Sequence, residues 1–343
     1  MLPFKLIYSD KFYLPIGAHV FPAQKYRLIY QRLLESKIAT AEDFIEPQAA
    51  ADEDILLVHT PEYLRKLKNG TLSRQEELQM EIPYSPELVE VCWLSAGGSI
   101  LAAEHALRDG VAFNIAGGFH HAFPDHGEGF CVIHDVAVAI RRMQKDGKIR
   151  HAMTVDCDVH QGNGTAAIFS SAHAGSAHAG AAPAGMGGLP SAFFAPSRGA
   201  QSLKSGGIKS ESDTGGDVFT ISLHQQNNYP AIKPPSSIDV NLADGVGDDD
   251  YLHWLDNALS SGLRQFTPEL ICYVAGADPY REDQLGGLSL SIEGLKKRDE
   301  LVFRVARARH IPVMVTYAGG YAHQVEDTVT IHCNTVVAAK EVF

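Results

Sequence analysis

Histidine and aspartate residues cluster at three points of this sequence, and each cluster directly follows a short apolar run. The clusters are His120-His121, Asp156-Cys-Asp-Val-His160 and Ala277-Asp278. Asp158 and His160 are two residues apart, so in extended backbone their side chains point to the same side. With Asp278 they would offer two carboxylate oxygens and one imidazole nitrogen to a divalent cation. Three protein ligands, with the remaining positions left for water and substrate, are typical of a catalytic metal site.

The remaining polar residues near these clusters have types suited to hydrolysis. The adjacent His120 and His121 are candidates for a general base and an electrostatic helper beside a metal-activated water. Each imidazole needs a partner on its other nitrogen, and Asp156 and Asn163 bracket the metal ligands at suitable places. Tyr321, which follows Gly319-Gly320, could donate a hydrogen bond to a developing oxyanion.

Structural interpretations of the same residues remain open. Aspartates in strand-to-helix turns often cap the following helix, although capping explains no more than one residue per turn. A histidine is usually structural, and a tyrosine after Gly-Gly can simply be buried in the core. The donor set fits Zn²⁺ but also Fe²⁺, Co²⁺ or Mn²⁺, so the sequence alone does not choose the metal.

Short apolar runs separated by amphipathic segments predict an α/β protein with a parallel sheet. The predicted strands are 5–8, 112–116, 151–155, 218–222, 270–274 and 312–316, and the predicted helices are 22–36, 87–108, 135–145, 249–266 and 292–310. In the last helix Leu295, Leu301, Val302 and Val305 form the apolar stripe, and Lys296, Lys297, Arg298 and Glu300 are expected to face water. Ligands of parallel sheets bind at the carboxyl ends of the strands, where the polar clusters lie.

Composition limits the kind of partner and compartment. The net charge of −12 opposes direct nucleic-acid binding and favours a cationic substrate. Five scattered cysteines without a CxxC pair indicate reduced thiols, four of them expected in the core. No secretory signal and no apolar run of the roughly 20 residues needed to span a membrane are visible, so a cytoplasmic protein is predicted. The sequence leaves the oligomeric state open.

One segment, 170–216, shifts to Ala, Gly, Ser and Pro. This low complexity predicts a mobile surface insertion, since such a composition cannot form a packed core. His173 and His178 lie in it and are not expected to bind metal, because a flexible tract cannot hold ligands in fixed geometry.

Six motifs together resemble the metal-dependent histone deacetylase family. They occur in the family's order and cover nearly the whole chain outside the insertion: 117–122 (GGFHHA), 129–131 (GFC), 156–164 (DCDVHQGNG), 275–278 (AGAD), 285–289 (LGGLS) and 319–321 (GGY). Three segments together, 160–163 (HQGN), 285–289 (LGGLS) and 297–303 (KRDELVF), are most similar to class IV enzymes and their bacterial relatives. The resemblance implies the single-domain arginase/deacetylase fold over 1–343, with a central eight-stranded parallel sheet flanked by helices.

The same resemblance implies roles for individual residues. Zinc would be held by Asp158, His160 and Asp278, and catalysis would use His120, His121 and Tyr321 with Asp156 and Asn163 as histidine partners. The Gly129 carbonyl would accept the substrate amide N–H, and the rest of the substrate site would comprise Phe130, Tyr229, Leu285, Gly319 and Gly320. A structural K⁺ site would comprise Asp156, Asp158, His160, Ser222 and Leu223.

The implied activity is hydrolysis of the amide of N-ε-acyl-lysine in proteins or peptides, with an acetyl or a longer acyl group. Asn163 stands where many relatives have aspartate, and an amide without negative charge predicts a neutral His121. Two alternatives remain: a hydrolase of acetylpolyamines or other small amides, and a catalytically silent acyl-lysine-binding scaffold. Both the acyl chain length and the bearer of the acyl group stay open.

Overall fold

Eight parallel strands form the framework of the protein. The computed structural model describes residues 1–169 and 217–343. Its strands are Lys5–Ile7 (β1), Phe44–Ile45 (β2), Val111–Asn114 (β3), Ala152–Asp156 (β4), Val218–Gln225 (β5), Ile238–Leu242 (β6), Leu270–Val274 (β7) and Val313–Thr316 (β8). They form one sheet in the order β2-β1-β3-β8-β7-β4-β5-β6, and every pairing is parallel. The predicted insertion 170–216, with His173 and His178, lies outside the described residues.

Helices cover both faces of this sheet. They are Lys25–Glu35 (α1), Asp52–Ile55 (α2), Pro61–Asn69 (α3), Arg74–Met80 (α4), Pro86–Asp109 (α5), Asp135–Lys145 (α6), Asn163–Phe169 (α7), Asp248–Gln265 (α8), Ile292–Ala308 (α9) and Val325–Val342 (α10). α1, α8, α9 and α10 contribute to the core on one face, and α5 and α6 to the core on the other. No helix in the two described ranges is both long and apolar enough to cross a membrane.

The central strands are buried on both sides, as their uninterrupted apolar sequences predict. In β7, Ile271 and Tyr273 join one core, whereas Leu270, Cys272 and Val274 join the other. This alternation follows from the two-residue period of side chains along a strand. Burial of every β7 residue confirms the prediction of an α/β fold with a covered parallel sheet. All five cysteines are buried and free, one more than the four expected in the core.

Helix α9 contains the clearest error of the sequence prediction, because Arg298 does not face water. Its side chain is fully buried, as is the neighbouring Asp299. The buried face of α9 includes Leu295, Val302 and Phe303, and positions 298 and 299 follow Leu295 at the three- and four-residue spacing of one helical face. The prediction that Arg298 is exposed followed from its charge, whereas its spacing from Leu295 indicates burial.

Candidate active site

The predicted functional residues converge at the carboxyl ends of the four central strands. Asp156 is the last residue of β4, and Asp158 and His160 follow it. Asp278 lies beyond β7, and Tyr321 beyond β8, while His120 and His121 follow β3. Because β3, β8, β7 and β4 are neighbours in the sheet, residues far apart in sequence share one edge. This is the position at which parallel sheets bind ligands.

Asp158, His160 and Asp278 form a buried group with the donor atoms of a metal site. One ligand atom from each lies within 4.8 Å of the others, and no other such group occurs among residues 1–169 and 217–343. The His160 Nδ1 lies 3.1 Å from Asp158 Oδ1 and 3.4 Å from Asp278 Oδ2. Asp278 Oδ2 is buried without a hydrogen-bond partner, which is costly for a carboxylate oxygen unless a cation compensates it. The group therefore fits a divalent metal.

The electrostatics of the three residues reflect their crowding. Burial, followed by the nearby Asp158 carboxylate, raises the pKa of Asp278 to about 7. Burial would lower the pKa of His160, but the Asp158 and Asp278 carboxylates raise it to about 10. Two buried carboxylates this close repel one another unless a positive charge lies between them. In the protein without metal, protonated His160 supplies that charge.

Each histidine of the adjacent pair is held by a different partner. His120 Nδ1 lies 2.6 Å from Asp156 Oδ2, and His121 Nδ1 lies 2.7 Å from Asn163 Oδ1. Burial would lower the pKa of His120, but the carboxylates of Asp156 and Asp158 raise it to about 9. Burial, reinforced by His120 and His160, holds the pKa of His121 well below its usual value. The pair therefore combines a cationic and a neutral imidazole.

Tyr321 keeps its proton beside the metal group. Burial and the carboxylates of Asp158 and Asp278 hold the pKa of its phenol well above the usual value. Its backbone is fixed because Tyr321 N donates to Asp283 Oδ2 at 2.6 Å. The two preceding glycines also fix this segment. Gly319 N donates to Asp158 Oδ2 at 2.8 Å, and Gly320 has a φ of 145°, which favours glycine. A protonated phenol held in this way can donate to a developing oxyanion.

Four of the six residues predicted to bind substrate line a cavity that reaches His121. Its wall includes Gly129, Phe130, Tyr229 and Leu285, with His121, His160 and Tyr321 at the metal group. Gly319 instead lines the adjoining cavity that holds both histidines, and Gly320 lines neither. Gly129 and Phe130 form a tight turn with φ values of 53° and 65°. A Cβ at position 129 would lie 2.8 Å from His121 Cδ2, so this turn needs glycine. Glu81 and Asn228, which were not predicted, complete the wall.

The predicted monovalent-cation residues lie on β4, β5 and the loop after β4. Asp156 and Ser222 are opposite each other in the sheet. Ser222 Oγ is hydrogen-bonded to His224 Nδ1 at 2.9 Å. Leu223 packs into the core, so only its backbone carbonyl could serve as a ligand. A K⁺ site at these residues stays a prediction.

Three charged residues near the site were not predicted to contribute to it. Lys25 is fully buried under Tyr321 and donates to Ala318 O at 2.6 Å. Glu128 lies behind Asn163. Arg298 donates hydrogen bonds to backbone carbonyls close to Asp158 and Asp278. For Lys25 and Arg298, the helical spacing relative to Ile29 and Leu295 was a usable signal, whereas Glu128 had none in its local sequence.

Arg298 ties together the two loops that carry the aspartates of the metal group. Its guanidinium donates to Gly276 O at 2.6 Å and to Cys157 O at 3.2 Å, and it pairs with Asp299 Oδ1 at 2.8 Å. Asp299 also accepts from Tyr273 OH at 2.5 Å. Both bonded carbonyls lie one or two residues before a metal-site aspartate. Arg298 is therefore placed to fix the separation of Asp158 and Asp278.

Arg298→Met should lower the free energy of unfolding by about 3–5 kcal/mol, because it leaves the buried Asp299 charge without its partner. Denaturant unfolding of the metal-free protein measures this loss. Lys297→Met is the matched control, since Lys297 is exposed on the same helix and should change stability by no more than about 0.5 kcal/mol. A loss below about 1 kcal/mol for Arg298→Met would show that the buried pair is not required.

The fold and this geometry define a class of protein, namely a hydrolase with a buried Asp-His-Asp group at the carboxyl edge of a parallel sheet. Residues 19–336 match the histone deacetylase domain. The chain belongs to the histone deacetylase family and is a hydrolase of that type. The family resemblance found in the sequence motifs is thereby confirmed.

Individual relatives are similar to this chain over most of its length. An uncharacterized protein of Picosynechococcus sp. is 34% identical over 341 residues, which cover 99% of each chain. Histone deacetylase 2 of Arabidopsis thaliana is 31% identical over 314 residues, covering 88% of this chain and 70% of its own. The crystal structure of an HDAC homolog from Aquifex aeolicus superposes with a TM-score of 0.70 at 22% identity, covering 97% of this chain and 82% of its own. The last similarity concerns the fold alone.

Proposed function

We propose that this protein is a zinc-dependent deacylase that hydrolyses the amide of N-ε-acyl-lysine in proteins or peptides. The observation that carries the proposal is the buried Asp278 Oδ2, which has no hydrogen-bond partner and belongs to the Asp158-His160-Asp278 group. His160 of that group lines the substrate cavity. A cavity with convergent polar groups and shifted pKa values is the usual form of an active site. We further propose that residues 1–343 act as one catalytic domain, with 170–216 as an insertion.

Zinc at Asp158, His160 and Asp278 would supply Lewis acidity to the acyl carbonyl and to the attacking water. Two carboxylates and an imidazole suit Zn²⁺, and Fe²⁺ could use the same donors. A K⁺ ion bound around Asp156 and Ser222 would have a structural role. The proposed substrate carries its acyl group on a lysine side chain, which would lie between Phe130 and Tyr229 of the cavity wall.

The side chains of the protein would divide the proton transfers. Asn163 Oδ1 accepts the proton on His121 Nδ1, at a separation of 2.7 Å, so His121 Nε2 is free to take a proton from water. His120, which Asp156 keeps cationic, stabilises negative charge near the reacting centre. The Tyr321 hydroxyl donates to the acyl oxygen as charge develops on it. The histidine pair then returns a proton to the departing lysine amine.

A second, apolar cavity supports acyl groups longer than acetyl. It is lined by apolar side chains such as Phe12, Leu14, Ala23, Ile82 and Leu88. It shares Phe21, Phe119 and Phe130 with the cavity that contains the histidine pair. An alkyl chain entering it would be removed from water, at about 0.8 kcal/mol per methylene. The resemblance of 160–163, 285–289 and 297–303 to class IV enzymes is consistent with such substrates.

Filling this cavity should change the preference for acyl length. Ala23→Phe is expected to lower kcat/KM on a decanoyl-lysine peptide at least about tenfold more than on an acetyl-lysine peptide, since loss of two buried methylenes already exceeds the 1.4 kcal/mol of a tenfold effect. The wild type and Ala23→Ser serve as the comparison, because serine at this position leaves the cavity open. An equal loss on both peptides would contradict a role of this cavity in binding the acyl chain.

Activity profiling of the zinc-loaded protein tests the proposed function. Acetyl-lysine peptides, long-chain acyl-lysine peptides and acetylpolyamines form the three arms. Turnover of either peptide class supports a lysine deacylase, whereas turnover of acetylpolyamines alone assigns the enzyme to small amides. Binding of acyl-lysine peptide without turnover in any arm would instead identify a scaffold and overturn the proposal.

A further inference from the structure

Glu128 lies next to Asn163, the hydrogen-bond partner of His121. It opens the turn that contains Gly129 and Phe130, and Cys131 closes it through two backbone hydrogen bonds of 2.9 Å, one in each direction. Glu128 Oε1 accepts from Asn163 Nδ2 at 2.6 Å and from Tyr229 OH at 2.8 Å. The carboxylate therefore bonds one residue that contacts His121 and another that lines the substrate cavity.

This contact determines how the Asn163 side chain is oriented. An amide has a donor at one end and an acceptor at the other. Because the carboxylate of Glu128 can only accept, it bonds the Nδ2 end, and Oδ1 must face His121 Nδ1 at 2.7 Å. The proton of His121 is thereby held on Nδ1, which leaves Nε2 as the acceptor. Glu128 acts on His121 through one intervening side chain.

We propose that Glu128 is a positioning residue of the catalytic site, the outer member of a His121-Asn163-Glu128 relay that requires an amide at position 163. The proposal deepens the proposed deacylase function and rests on it. Burial would raise the pKa of Glu128, but hydrogen bonds from His126, Tyr229 and Asn163 lower it to about 2. Only 16% of its side chain is exposed, so the charge beside Asn163 is poorly screened by water.

The relay explains why an aspartate would be unsuitable at position 163 of this chain. A carboxylate there would meet Glu128 Oε1 at the 2.6 Å now occupied by an N–H···O bond. Two carboxylates at such a distance cannot both be ionised, so they would have to share a proton. The charge-swapped pair, with glutamine at 128 and aspartate at 163, would restore one donor and one acceptor at the contact.

A double-mutant cycle of Glu128→Gln and Asn163→Asp tests this coupling. We expect Glu128→Gln to lower kcat by less than about tenfold, because its amide oxygen still accepts from Asn163. Asn163→Asp should lower kcat by about 30-fold or more, within the range of general-base effects. The double variant should recover to within about tenfold of the wild type. A loss in the double variant equal to the product of the two single losses would overturn the relay.

Thermal unfolding without substrate separates failure of this inference from failure of the proposed function. Asn163→Asp should lower Tm by about 2–5 °C, and adding Glu128→Gln should restore it. If Tm stays low in the double variant, the relay is contradicted, even if the protein shows no deacylase activity. Glu77→Gln, which loses the same charge on α4 and an ion pair with Arg74, should leave kcat unchanged. If Asn163→Asp does not fold, Glu128→Leu replaces it: kcat should fall at least about tenfold, and a wild-type kcat would overturn the proposal.

Discussion

Tyr321→Phe is expected to lower kcat on an acyl-lysine peptide by about 10²- to 10³-fold, the loss typical of removing one oxyanion donor. The phenol is the group that can donate to the developing charge, and its pKa is held well above the usual value, so it stays protonated through the working range. Zinc content should not change, because Tyr321 is outside the Asp-His-Asp group. Steady-state kinetics with metal analysis of the same sample measures both quantities.

Tyr317→Phe is the matched control for this experiment. It removes another buried phenol near the end of β8, whose hydroxyl donates to His332 O at 2.9 Å. It should cost about 1–3 kcal/mol of stability and leave kcat near the wild-type value. A kcat within about threefold of wild type for Tyr321→Phe would remove the assigned role, since an oxyanion donor contributes far more.

Asp278→Asn is expected to remove most of the stabilisation of the protein by zinc, leaving about 1.4 kcal/mol or less at the same zinc concentration. In the wild type, zinc at 1,000 times its Kd should stabilise the fold by about 4 kcal/mol. The substitution replaces one of the two carboxylate ligands with a neutral amide oxygen, which binds zinc more weakly. We expect Kd to rise at least about 100-fold, since mutation of the residues that only support metal ligands already costs up to that much. Differential scanning fluorimetry of metal-free protein, with and without zinc, measures the effect.

The metal-free variant should fold at least as well as the metal-free wild type. Asp278 Oδ2 has no hydrogen-bond partner there, and burial and the Asp158 carboxylate disfavour its charge, so neutralising it relieves repulsion. Asp256→Asn, on the exposed side of α8, should keep the full zinc effect. A wild-type increase of Tm with zinc in Asp278→Asn would show that the metal binds elsewhere.

Six strands of the sheet could be predicted, namely β1 and the five core strands, because their sequences are largely apolar. The core strands β3, β4, β5, β7 and β8 are buried on both faces, and such burial leaves a direct trace in the sequence. β2 has two residues and β6 carries polar residues at the edge of the sheet. Neither produces an apolar run, so both were missed, as were the helices α2, α3, α4, α7 and α10.

The site residues were accessible to sequence reasoning to different degrees. The metal group and the histidine pair could be located because they follow strands, and parallel strands bring their carboxyl ends together. The substrate wall came from the family resemblance and not from any local pattern. Glu128 could not be found in either way, because its role depends on contacts with Asn163 and Tyr229, which are 35 and 101 residues away.

Reconstitution of the metal-free protein with zinc tests whether zinc at the Asp-His-Asp group is required for deacylation. Turnover of acetyl- and decanoyl-lysine peptides would be followed while zinc is added from zero to two equivalents. We expect no turnover without metal and a linear rise that ends at one equivalent, matching the single Asp-His-Asp group of the described residues. Turnover that is unaffected by zinc, or a fully loaded protein that hydrolyses neither peptide, would contradict it.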